Sequence, residues 1–379
     1  MSKENVYVYI GRFQTPHIGH EATIKNALQK SDRLVLIVGS SELARDPKNP
    51  FTFEERFKVL DSICERLAKE EWSKGRHVKY NIKPVHDYVY NNTKWLKEVQ
   101  SQVLECTSSK NITITGCKKD KDESTFYLNF FPQWKQDFIS EVKPDTLMKG
   151  TWNPLSVLDD YFFDINQSNK VVNSTDVRNE YFTNGTVSSN SVCEETKEFL
   201  EKFKKTKPEV YDTLCKEHKF VLDYRADMKA KLPYDNIPFL TADSLVTCAG
   251  HVLLVKRRTF PGKGLWALPG GFMDAWKDKD QIDTAIRELL EETKIKVPEK
   301  VLRGSIVKVD EFGDFNRSLR WRIITKCIHI KLEDTVLPKV KGSDDAEKAM
   351  WVPFSEIMAN RDKMFEDHFS IIDVFLGLA

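Results

Sequence analysis

The chain has 379 residues, enough for two globular domains that each bury a core, and its 58 basic side chains nearly balance its 57 acidic ones. This balance gives no electrostatic reason to expect binding to nucleic acid or to a membrane surface, and it leaves small phosphorylated ligands open. The seven cysteines contain no Cys-x-x-Cys pair, and no apolar stretch approaches the roughly 18 residues of a membrane span. We therefore expect a soluble, cytoplasmic protein with no nucleic-acid or membrane partner.

The first half of the chain alternates strand and helix signals. Residues 6–10 form a short β-branched and aromatic run, and a helix-compatible stretch follows at residues 17–29. The unbroken apolar runs at residues 34–40 and 111–116 are typical of parallel strands that are buried on both faces. This order predicts a doubly wound α/β domain.

The second half begins after a small, polar segment at residues 183–191. Charged helices are predicted at residues 194–218, and short strands at residues 245–248 and 251–255 then form a hairpin-like pattern that leads to a Gly/Pro loop and a strong helix. We therefore place one domain at residues 1–185, a helical linker at residues 186–232 and a second domain at residues 233–379.

Two histidines stand at the predicted start of the first helix. His17 and His20 are three residues apart and share one helix face, while Gly19 between them lets a ligand approach closely. The free N–H groups and the dipole of a helix start favour a phosphate, and two imidazole donors suit the charge that builds up during phosphoryl or nucleotidyl transfer. Such a pair in isolation is more often two surface or capping histidines.

A second phosphate-binding pattern lies at residues 174–178. The hydroxyls of Ser174 and Thr175 and the backbone N–H groups of a helix start can hold a triphosphate, and Arg178 one turn later adds a bidentate positive charge. Taken alone, this pattern is as often a simple helix cap.

These segments resemble motifs of a known family. Residues 11–20 (Gly-Arg-Phe-Gln-Thr-Pro-His-Ile-Gly-His) resemble the signature of the nucleotidylyltransferase superfamily, and residues 49–56 and 174–178 resemble two motifs of its nicotinamide mononucleotide adenylyltransferase branch. The resemblance implies that His17, His20 and Arg178 are catalytic. It implies ATP contacts from Gly11, Phe13, Thr15, His17, His20, Ser174, Thr175 and Arg178, and nicotinamide-nucleotide contacts from Arg56, Asp120 and Trp134, the last by stacking on the pyridine ring.

Acidic residues follow a glycine loop in the second half. Glu288, Glu291 and Glu292 fall at positions i, i+3 and i+4 of the predicted helix, so their carboxylates converge on one face. Three acids together repel one another unless a cation lies between them, and Mg²⁺ or Mn²⁺ meets that need and also bridges diphosphate oxygens. One of these acids, or an acid from a later loop, could activate the attacking water. An acidic helix face of this kind is otherwise simply solvated.

Residues 268–272 and 287–293 together resemble the Nudix box. The resemblance implies metal ligation by Glu288, Glu291 and Glu292, catalysis by Glu291, and substrate contacts from Gly270, Gly271, Arg320 and Arg322. The box is altered, because the spacing from Gly271 to Arg287 is two residues longer than usual and Lys294 replaces the closing glycine. Its middle glutamate is replaced by residues 277–280, in which the candidate substitutes are Asp278 and Asp280.

The two resemblances together extend over residues 6–369, where residues 365–369 look like the closing helix of such proteins, and match the bifunctional nicotinamide mononucleotide adenylyltransferase/Nudix hydrolase family. They imply an α/β protein with an N-terminal doubly wound, Rossmann-like nucleotidyltransferase domain and a C-terminal α/β/α Nudix domain with a mixed sheet. The implied substrates are ATP, nicotinamide mononucleotide and ADP-ribose, and the implied cofactor of both activities is Mg²⁺ or Mn²⁺.

The sequence leaves several alternatives open. The Nudix half could be an NADH or other dinucleotide diphosphatase, because residues outside the box select the groups that flank the diphosphate. The altered box could also make it a module that senses ADP-ribose or NAD without cleaving it. The N-terminal half could use another phosphorylated acceptor, such as a pantetheine or cytidylyl-pathway substrate. Whether the chain forms a homo-oligomer is also left open.

Overall fold

The computed structural model describes residues 4–117, 128–139, 172–188, 190–232, 234 and 237–378. By its internal contacts the chain divides into two units. The N-terminal unit comprises Met1–Ser41, Pro47–Asp87 and Thr93–Cys215, and the C-terminal unit comprises Glu42–Asp46, Tyr88–Asn92 and Lys216–Ala379. Two short segments of the first half of the sequence therefore pack with the second half, while the predicted domain limits at residues 185 and 233 stay a prediction.

The N-terminal unit is built around a five-stranded parallel sheet with the strand order β3-β2-β1-β4-β5. The elements that the structure describes in chain order are β1 (Val6–Gly11), α1 (Ile18–Lys30), β2 (Arg33–Val38), α2 (Phe53–Ser73), β3 (Lys79–Pro84), α3 (Asn92–Cys106), β4 (Ile112–Cys117), β5 (Lys135–Ile139), α4 (Ser174–Asn184), α5 (Glu194–Thr206) and α6 (Pro208–Lys231). The last helix, α6, is divided between the units, because its residues from Lys216 onward belong to the C-terminal unit. The predicted doubly wound α/β fold is confirmed.

Both faces of this sheet are covered, which explains the unbroken apolar strands. In β2, Leu34, Leu36 and Val38 pack into a core with α1 and α2, whereas Val35 and Ile37 point to the other face and pack with α3. Side chains alternate between the faces of a strand, so a strand that is covered on both sides needs an apolar residue at every position.

One arginine ties together the loops at the carboxyl end of this sheet. Arg56 on α2 is only 1% exposed and donates hydrogen bonds to the carbonyl oxygens of Arg12 (2.5 Å), Gly39 (2.7 Å), Ser40 (2.8 Å) and Thr52 (3.3 Å). Burial lowers the pKa of Arg56 to about 10. The loops after β1 and β2 are therefore held by a single charged group, which offers its donors to the main chain.

The C-terminal unit contains a mixed sheet with the path β10-β11-β6-β7-β12, in which β11 and β6 are parallel and the other pairs are antiparallel. Its elements are β6 (Phe239–Cys248), β7 (His251–Arg257), β8 (Trp266–Ala267), β9 (Gly270–Phe272), α7 (Gln281–Thr293), α8 (Glu299–Gly304), β10 (Ile306–Phe312), β11 (Ile323–Leu332), β12 (Ala346–Pro353), α9 (Phe354–Ala359), a 3-10 helix (Arg361–Lys363) and α10 (His368–Leu376).

Two apolar cores lie on opposite faces of this sheet. Leu289 of α7 packs with Val246, and Ile371 of α10 packs with Leu245, the neighbouring residue of the same strand. The predicted α/β/α arrangement with a mixed sheet is confirmed. Among the described residues, no helix combines the length and apolar character that crossing a membrane requires.

A buried acid on α6 supports the loop between β7 and β8. Glu217 is 5% exposed and accepts a hydrogen bond from the backbone N–H of Gly262 at 2.5 Å. Burial raises the pKa of Glu217 to about 7, and the charges of Asp46 and Glu366 add to the rise. The folded state therefore retains this proton at pH values where an unfolded chain has released it.

We expect replacement of Arg56 by Met to lower the free energy of unfolding by about 4 kcal/mol, because several buried carbonyl groups lose their donors at once. Chemical denaturation of the full chain measures this loss. Lys58→Met removes an exposed charge two residues further along the same helix and should change stability by less than about 0.5 kcal/mol. Equal stabilities of the two variants would contradict the role of Arg56.

Glu217 should make stability fall as the pH rises. The pKa of this carboxyl moves from 4.5 to about 7 on folding, so unfolding releases a proton in this window, and the fold loses on the order of 3 kcal/mol across it. Urea unfolding at pH 5, 6, 7 and 8 should show a flatter pH dependence for Glu217→Gln, with the variant more stable than the wild type at pH 8. Glu209→Gln, an exposed change on the same helix, should follow the wild type. Parallel curves for Glu217→Gln and the wild type would contradict the assignment.

Candidate active sites

The two histidines of the first constellation form the cap of their own helix. His17 is the N-cap residue of α1, and its Nδ1 accepts a hydrogen bond from the backbone N–H of Gly19 at 3.1 Å. In return, Nδ1 of His20 accepts from the backbone N–H of His17 at 3.1 Å, and the ring centroids are 3.8 Å apart. Because each Nδ1 is an acceptor, the proton of each neutral ring is on Nε2, which is therefore a donor. Capping orients both rings and fixes the tautomer that a phosphate requires.

The loop before this helix is folded onto the strand that precedes it. Phe13 has a left-handed backbone with a φ of 52°, and its ring lies so close to Gly11 that a Cβ there would be 3.0 Å from the ring. The ring also packs edge-on against Tyr9 at 5.1 Å and lies 5.0 Å from His20. Phe13 is buried, so its side chain anchors the loop and only its main chain is suited to a nucleotide contact.

The start of α4 is attached to the same loop. The hydroxyl of Ser174 donates to the carbonyl oxygen of Thr15 at 3.0 Å, and the guanidinium of Arg178 donates to the carbonyl oxygen of Gln14 and to the hydroxyl of Thr175 at 3.1 Å. The structure thus brings together four residues that the sequence predicted as ATP contacts. Arg178 is buried, and these contacts make it a group that positions the loop.

The predicted nicotinamide-nucleotide residues are less clearly grouped. Trp134 is 8% exposed and stacks on Phe131 with a centroid distance of 4.6 Å and an interplanar angle of 4°, so one face of its ring is covered. Arg56 holds the loops as described above, and Asp120 lies outside the described residues.

One acid near these loops was missed in the sequence. Asp87 accepts hydrogen bonds from the backbone N–H of Ser40 at 3.1 Å and from its hydroxyl at 2.5 Å. Its position in the sequence, three residues after the end of β3, could have identified it as a site residue, because loops that follow parallel strands gather at the carboxyl edge of a sheet.

The acids of the second constellation lie against the glycine loop. Glu292 accepts a hydrogen bond from the backbone N–H of Gly270 at 3.0 Å, and a Cβ on Gly271 would come within 2.5 Å of the Glu288 carboxylate. Arg287 donates to Glu288 at 2.7 Å and to Glu291 at 3.1 Å. Gly271 is needed because the Glu288 carboxylate approaches the loop backbone directly, and Gly270 is needed because a Cβ there would overlap the carbonyl oxygen of Ala242 on β6.

Burial and like charge make this cluster suited to a cation. Burial raises the pKa of Glu292 to about 8, and the neighbouring Glu288, whose own pKa burial also raises, adds to the rise. A divalent cation would favour the charged carboxylates and remove this repulsion. Within the described residues no three metal-type side chains form a complete metal-binding group, and Arg287 bonds two of the three predicted ligands.

The structure separates the two candidates for the missing acid of the box. Asp278 is buried and accepts from Nε (2.9 Å) and Nη2 (2.8 Å) of Arg287, which holds the pKa of this carboxyl well below its usual range. Asp280 is the N-cap of α7 and accepts from the backbone N–H groups of Ile282 and Asp283. Asp278 is thus the partner that orients Arg287, and Asp280 starts the helix.

A cavity of about 360 Å³ is lined by Glu288 and Glu292 of α7 and also by Arg257, Arg317 and Arg320, whereas Glu291, the third predicted ligand, is not among its lining residues. Of these, Arg317 and Arg320 belong to the arginine-rich segment at residues 317–322, which the sequence offers for diphosphate contact and in which it selects Arg320 and Arg322. Arg322, the other prediction, instead donates to the carbonyl oxygen of Asp314 at 3.2 Å and lies over the ring of Phe315. Arg257 had no distinctive signal, since it ends an ordinary strand.

Carboxylates outnumber guanidinium groups in the lining of this cavity. Four arginines face seven acids, namely Asp243, Asp274, Glu288, Glu292, Asp344, Asp345 and Glu366. Burial raises the pKa of Asp243, Glu292 and Glu366, so the cavity carries less negative charge than the number of its acids suggests. A divalent cation would favour the charged forms of these acids and would complement a diphosphate.

The two halves match two known families. Residues 8–180 match the cytidylyltransferase-like family, and residues 239–375 match the NUDIX domain family. The chain is 35% identical over 144 residues to a nicotinamide/nicotinic acid mononucleotide adenylyltransferase of Acinetobacter baylyi, which is 38% of this chain and 71% of that relative. It is 37% identical over 95 residues to a nicotinamide-nucleotide adenylyltransferase of Archaeoglobus fulgidus, which covers 25% of this chain and about half of that relative (52%).

The solved structures include a protein that is similar over the whole length. It is a bifunctional NMN adenylyltransferase/ADP ribose pyrophosphatase from Francisella tularensis, solved in complex with AMP and a manganese ion. The TM-score is 0.80 at 30% sequence identity, and the match covers 99% of each chain. The chain therefore belongs to the family of bifunctional NMN adenylyltransferase/ADP ribose pyrophosphatases.

Proposed function

We propose that the N-terminal unit transfers the adenylyl group of ATP to nicotinamide mononucleotide, giving NAD and diphosphate, and that the C-terminal unit hydrolyses ADP-ribose to AMP and ribose 5-phosphate. The observation that carries the proposal is the likeness to one bifunctional enzyme over 99% of both chains, which includes both constellations. Both activities use a divalent cation, and we propose Mg²⁺ or Mn²⁺.

In the adenylyl transfer, the 5′-phosphate of nicotinamide mononucleotide attacks the α-phosphorus of ATP in line, and the bond from that phosphorus to the β-phosphate oxygen breaks. Diphosphate leaves, and no side chain acts as a nucleophile. The Nε2 protons of His17 and His20 donate to phosphate oxygens on which charge increases. Because the cap of α1 already holds both rings, little reorganisation is needed when the charge develops.

The remaining nucleotide contacts are proposed as follows. The main chain of Gly11, Phe13 and Thr15 borders ATP, and the start of α4 with Ser174 and Thr175 holds the outer phosphates. Arg178 positions the loop and adds positive charge beside it. For the nicotinamide nucleotide, the candidates stay Trp134, Asp120 and, through the loops that it holds, Arg56.

In the hydrolase, Glu288, Glu291 and Glu292 would hold the divalent cation. When bound, this cation would polarise the diphosphate and lower the pKa of the attacking water. Glu291, the most exposed of the three, is the proposed acceptor of the water proton. The backbone of Gly270 and Gly271, together with Arg320, is proposed to orient the substrate. Arg322, the other arginine predicted from the sequence, bonds the carbonyl oxygen of Asp314 and is not among the residues that line the cavity. Water adds to one phosphorus, and the bond to the bridging oxygen breaks.

The histidine role can be separated from the cap by a paired substitution. His17→Ser with His20→Gln keeps an acceptor at both positions of the capping box but removes both imidazole rings and the ring N–H groups that they hold toward the phosphate. We expect the melting temperature to stay within about 2 °C of the wild type, because the cap is kept, while kcat for NAD formation falls at least about 100-fold.

The control is a variant that loses a helix cap and keeps both histidines. Thr52→Ala removes the cap of α2 but no proposed catalytic group, so it should lower stability by about 1 kcal/mol and leave the kcat of the folded protein within about two-fold of the wild type. Adenylyl transfer by the histidine variant at the wild-type rate would exclude the two imidazoles from catalysis.

For the hydrolase, we expect Glu292→Gln to reduce the release of AMP from ADP-ribose by about 100-fold or more, because a neutral amide is a poor ligand for a divalent cation. NAD formation by the same preparation should be unchanged. The measurement is product analysis by chromatography with Mg²⁺ or Mn²⁺. Glu299→Gln, which alters an exposed ion pair on α8, is the matched control and should retain full activity.

The same assay decides between the substrates. Cleavage of NADH but not of ADP-ribose would identify a dinucleotide diphosphatase. Binding of ADP-ribose without any product, unaffected by Glu292→Gln, would identify a sensing module and overturn the hydrolase proposal. Formation of NAD should need nicotinamide mononucleotide, and a lack of diphosphate release with this acceptor would overturn the first half.

A further inference from the structure

The residues at the start of the last helix hold two parts of the Nudix cavity at once. Asp367 accepts hydrogen bonds from Nε and Nη2 of Arg317, both at 3.0 Å, and Nδ1 of the next residue, His368, accepts from the backbone N–H of Leu268 at 2.9 Å. Leu268 begins the segment that leads to the glycine loop. Arg317 and His368 both line the cavity. The segment therefore connects the basic part of the wall to the glycine loop, against which the acids of α7 lie.

A tyrosine from the first half of the sequence completes this arrangement. The hydroxyl of Tyr90 donates to Oδ2 of Asp367 at 2.5 Å, and its ring packs edge-on against Phe312 at 4.9 Å. Tyr90 lies in the segment Tyr88–Asn92, which packs with the C-terminal unit. Burial raises the pKa of Tyr90 far above its usual range, and the charge of Asp367 adds to the rise, so the hydroxyl stays a donor.

The ion pair that Tyr90 joins is almost fully removed from water. The side chains of Arg317 and Asp367 are 3% and 4% exposed. Burying two charges costs free energy that their attraction offsets only when further hydrogen bonds satisfy the remaining lone pairs. The Tyr90 hydroxyl supplies such a bond to the carboxylate, so the orientation of the pair depends on it.

The ion pair with Asp367 uses only one edge of the Arg317 guanidinium. Asp367 takes Nε and Nη2, and the guanidinium also lies within reach of the Tyr90 hydroxyl, where its charge works against the rise in the pKa of Tyr90. In the part of the chain that the structure describes, Nη1 makes no hydrogen bond of ordinary geometry to another carboxylate or carbonyl oxygen. A guanidinium that is fixed on one edge and open on the other is suited to an anionic oxygen. Because Arg317 lines the cavity beside the metal-type acids, an anionic oxygen of a ligand in that cavity is the partner that fits this edge.

We propose that Tyr90 is a positioning residue of the Nudix reaction: its hydrogen bond to Asp367 holds Arg317 so that Nη1 can donate to the diphosphate of ADP-ribose. This inference rests on the proposed hydrolase function. Tyr90, a residue from the first half of the sequence, would then help to bind the substrate of the hydrolase in the second half.

The test is Tyr90→Phe in the full-length protein, which keeps the ring on Phe312 and removes only the hydroxyl. We expect KM for ADP-ribose to rise about ten-fold with kcat within about two-fold of the wild type, because Arg317 contacts the diphosphate in both the ground state and the transition state. NAD formation should not change. Tyr88→Phe makes the same chemical change two residues away and should leave the hydrolase kinetics unaltered.

A purely structural role of Tyr90 gives a different result. Loss of folded protein lowers the apparent kcat and leaves KM unchanged, so an unchanged KM in Tyr90→Phe overturns the proposal whatever happens to kcat. A second measurement uses Arg317→Lys, which cannot make the paired contact with Asp367. Adding Tyr90→Phe to this variant should raise KM no further, and an additive rise contradicts the role of Arg317.

Where product analysis shows no cleavage, calorimetric titration with ADP-ribose and Mg²⁺ separates this inference from the hydrolase function. If the wild type binds ADP-ribose without cleaving it, the hydrolase function fails, yet an approximately ten-fold weaker affinity of Tyr90→Phe still supports the positioning of Arg317. Equal affinities of wild type and variant overturn it. Absence of any binding overturns both.

Discussion

Guanidinium groups that are taken out of water determine the shape of both sites. A buried arginine must place its donors on oxygen atoms, so each one fixes the groups around it. Arg56 holds the loops after β1 and β2, and Arg178 ties the start of α4 to the loop after β1. In the C-terminal unit the partners are carboxylates: the buried Arg317 bonds Asp367, and Arg287, which is only partly buried, bonds Asp278. Rigid, oriented surroundings are what phosphoryl chemistry requires from a protein.

The histidine motif shows that capping and catalysis need not compete. An imidazole has two nitrogen atoms, and the cap of α1 uses Nδ1 of His17 and of His20. The tautomer that this imposes carries the proton on Nε2, where a phosphate needs a donor. The simple alternative, that the pair caps a helix, is correct, and it also explains why the pair suits nucleotidyl transfer. Gly19 is required because a Cβ there would lie 2.9 Å from the His17 ring.

The altered Nudix box still places an acid beside Arg287, although its sequence lacks the usual middle glutamate. Although the spacing is longer and the middle glutamate is absent, Asp278 reaches Arg287 and orients it. The acids of α7 lie against the two glycines, where burial raises the pKa of Glu292. A change of loop length is thus tolerated because the contact is made by a side chain, whose reach compensates for a shift of the backbone.

The sequence by itself determined the two folds, the order of the elements and most of the residues near each site, because periodicity and motif spacing depend on contacts close in the chain. Local patterns identify Glu288, Glu291 and Glu292 as one face of a helix and His17 and His20 as another. Only the tertiary structure decided that Arg56 bonds the main chain, that Arg317 rather than Arg322 lines the cavity, and that Tyr90 bonds Asp367. These contacts join residues up to 277 positions apart, and nothing in the local pattern of either partner specifies the other.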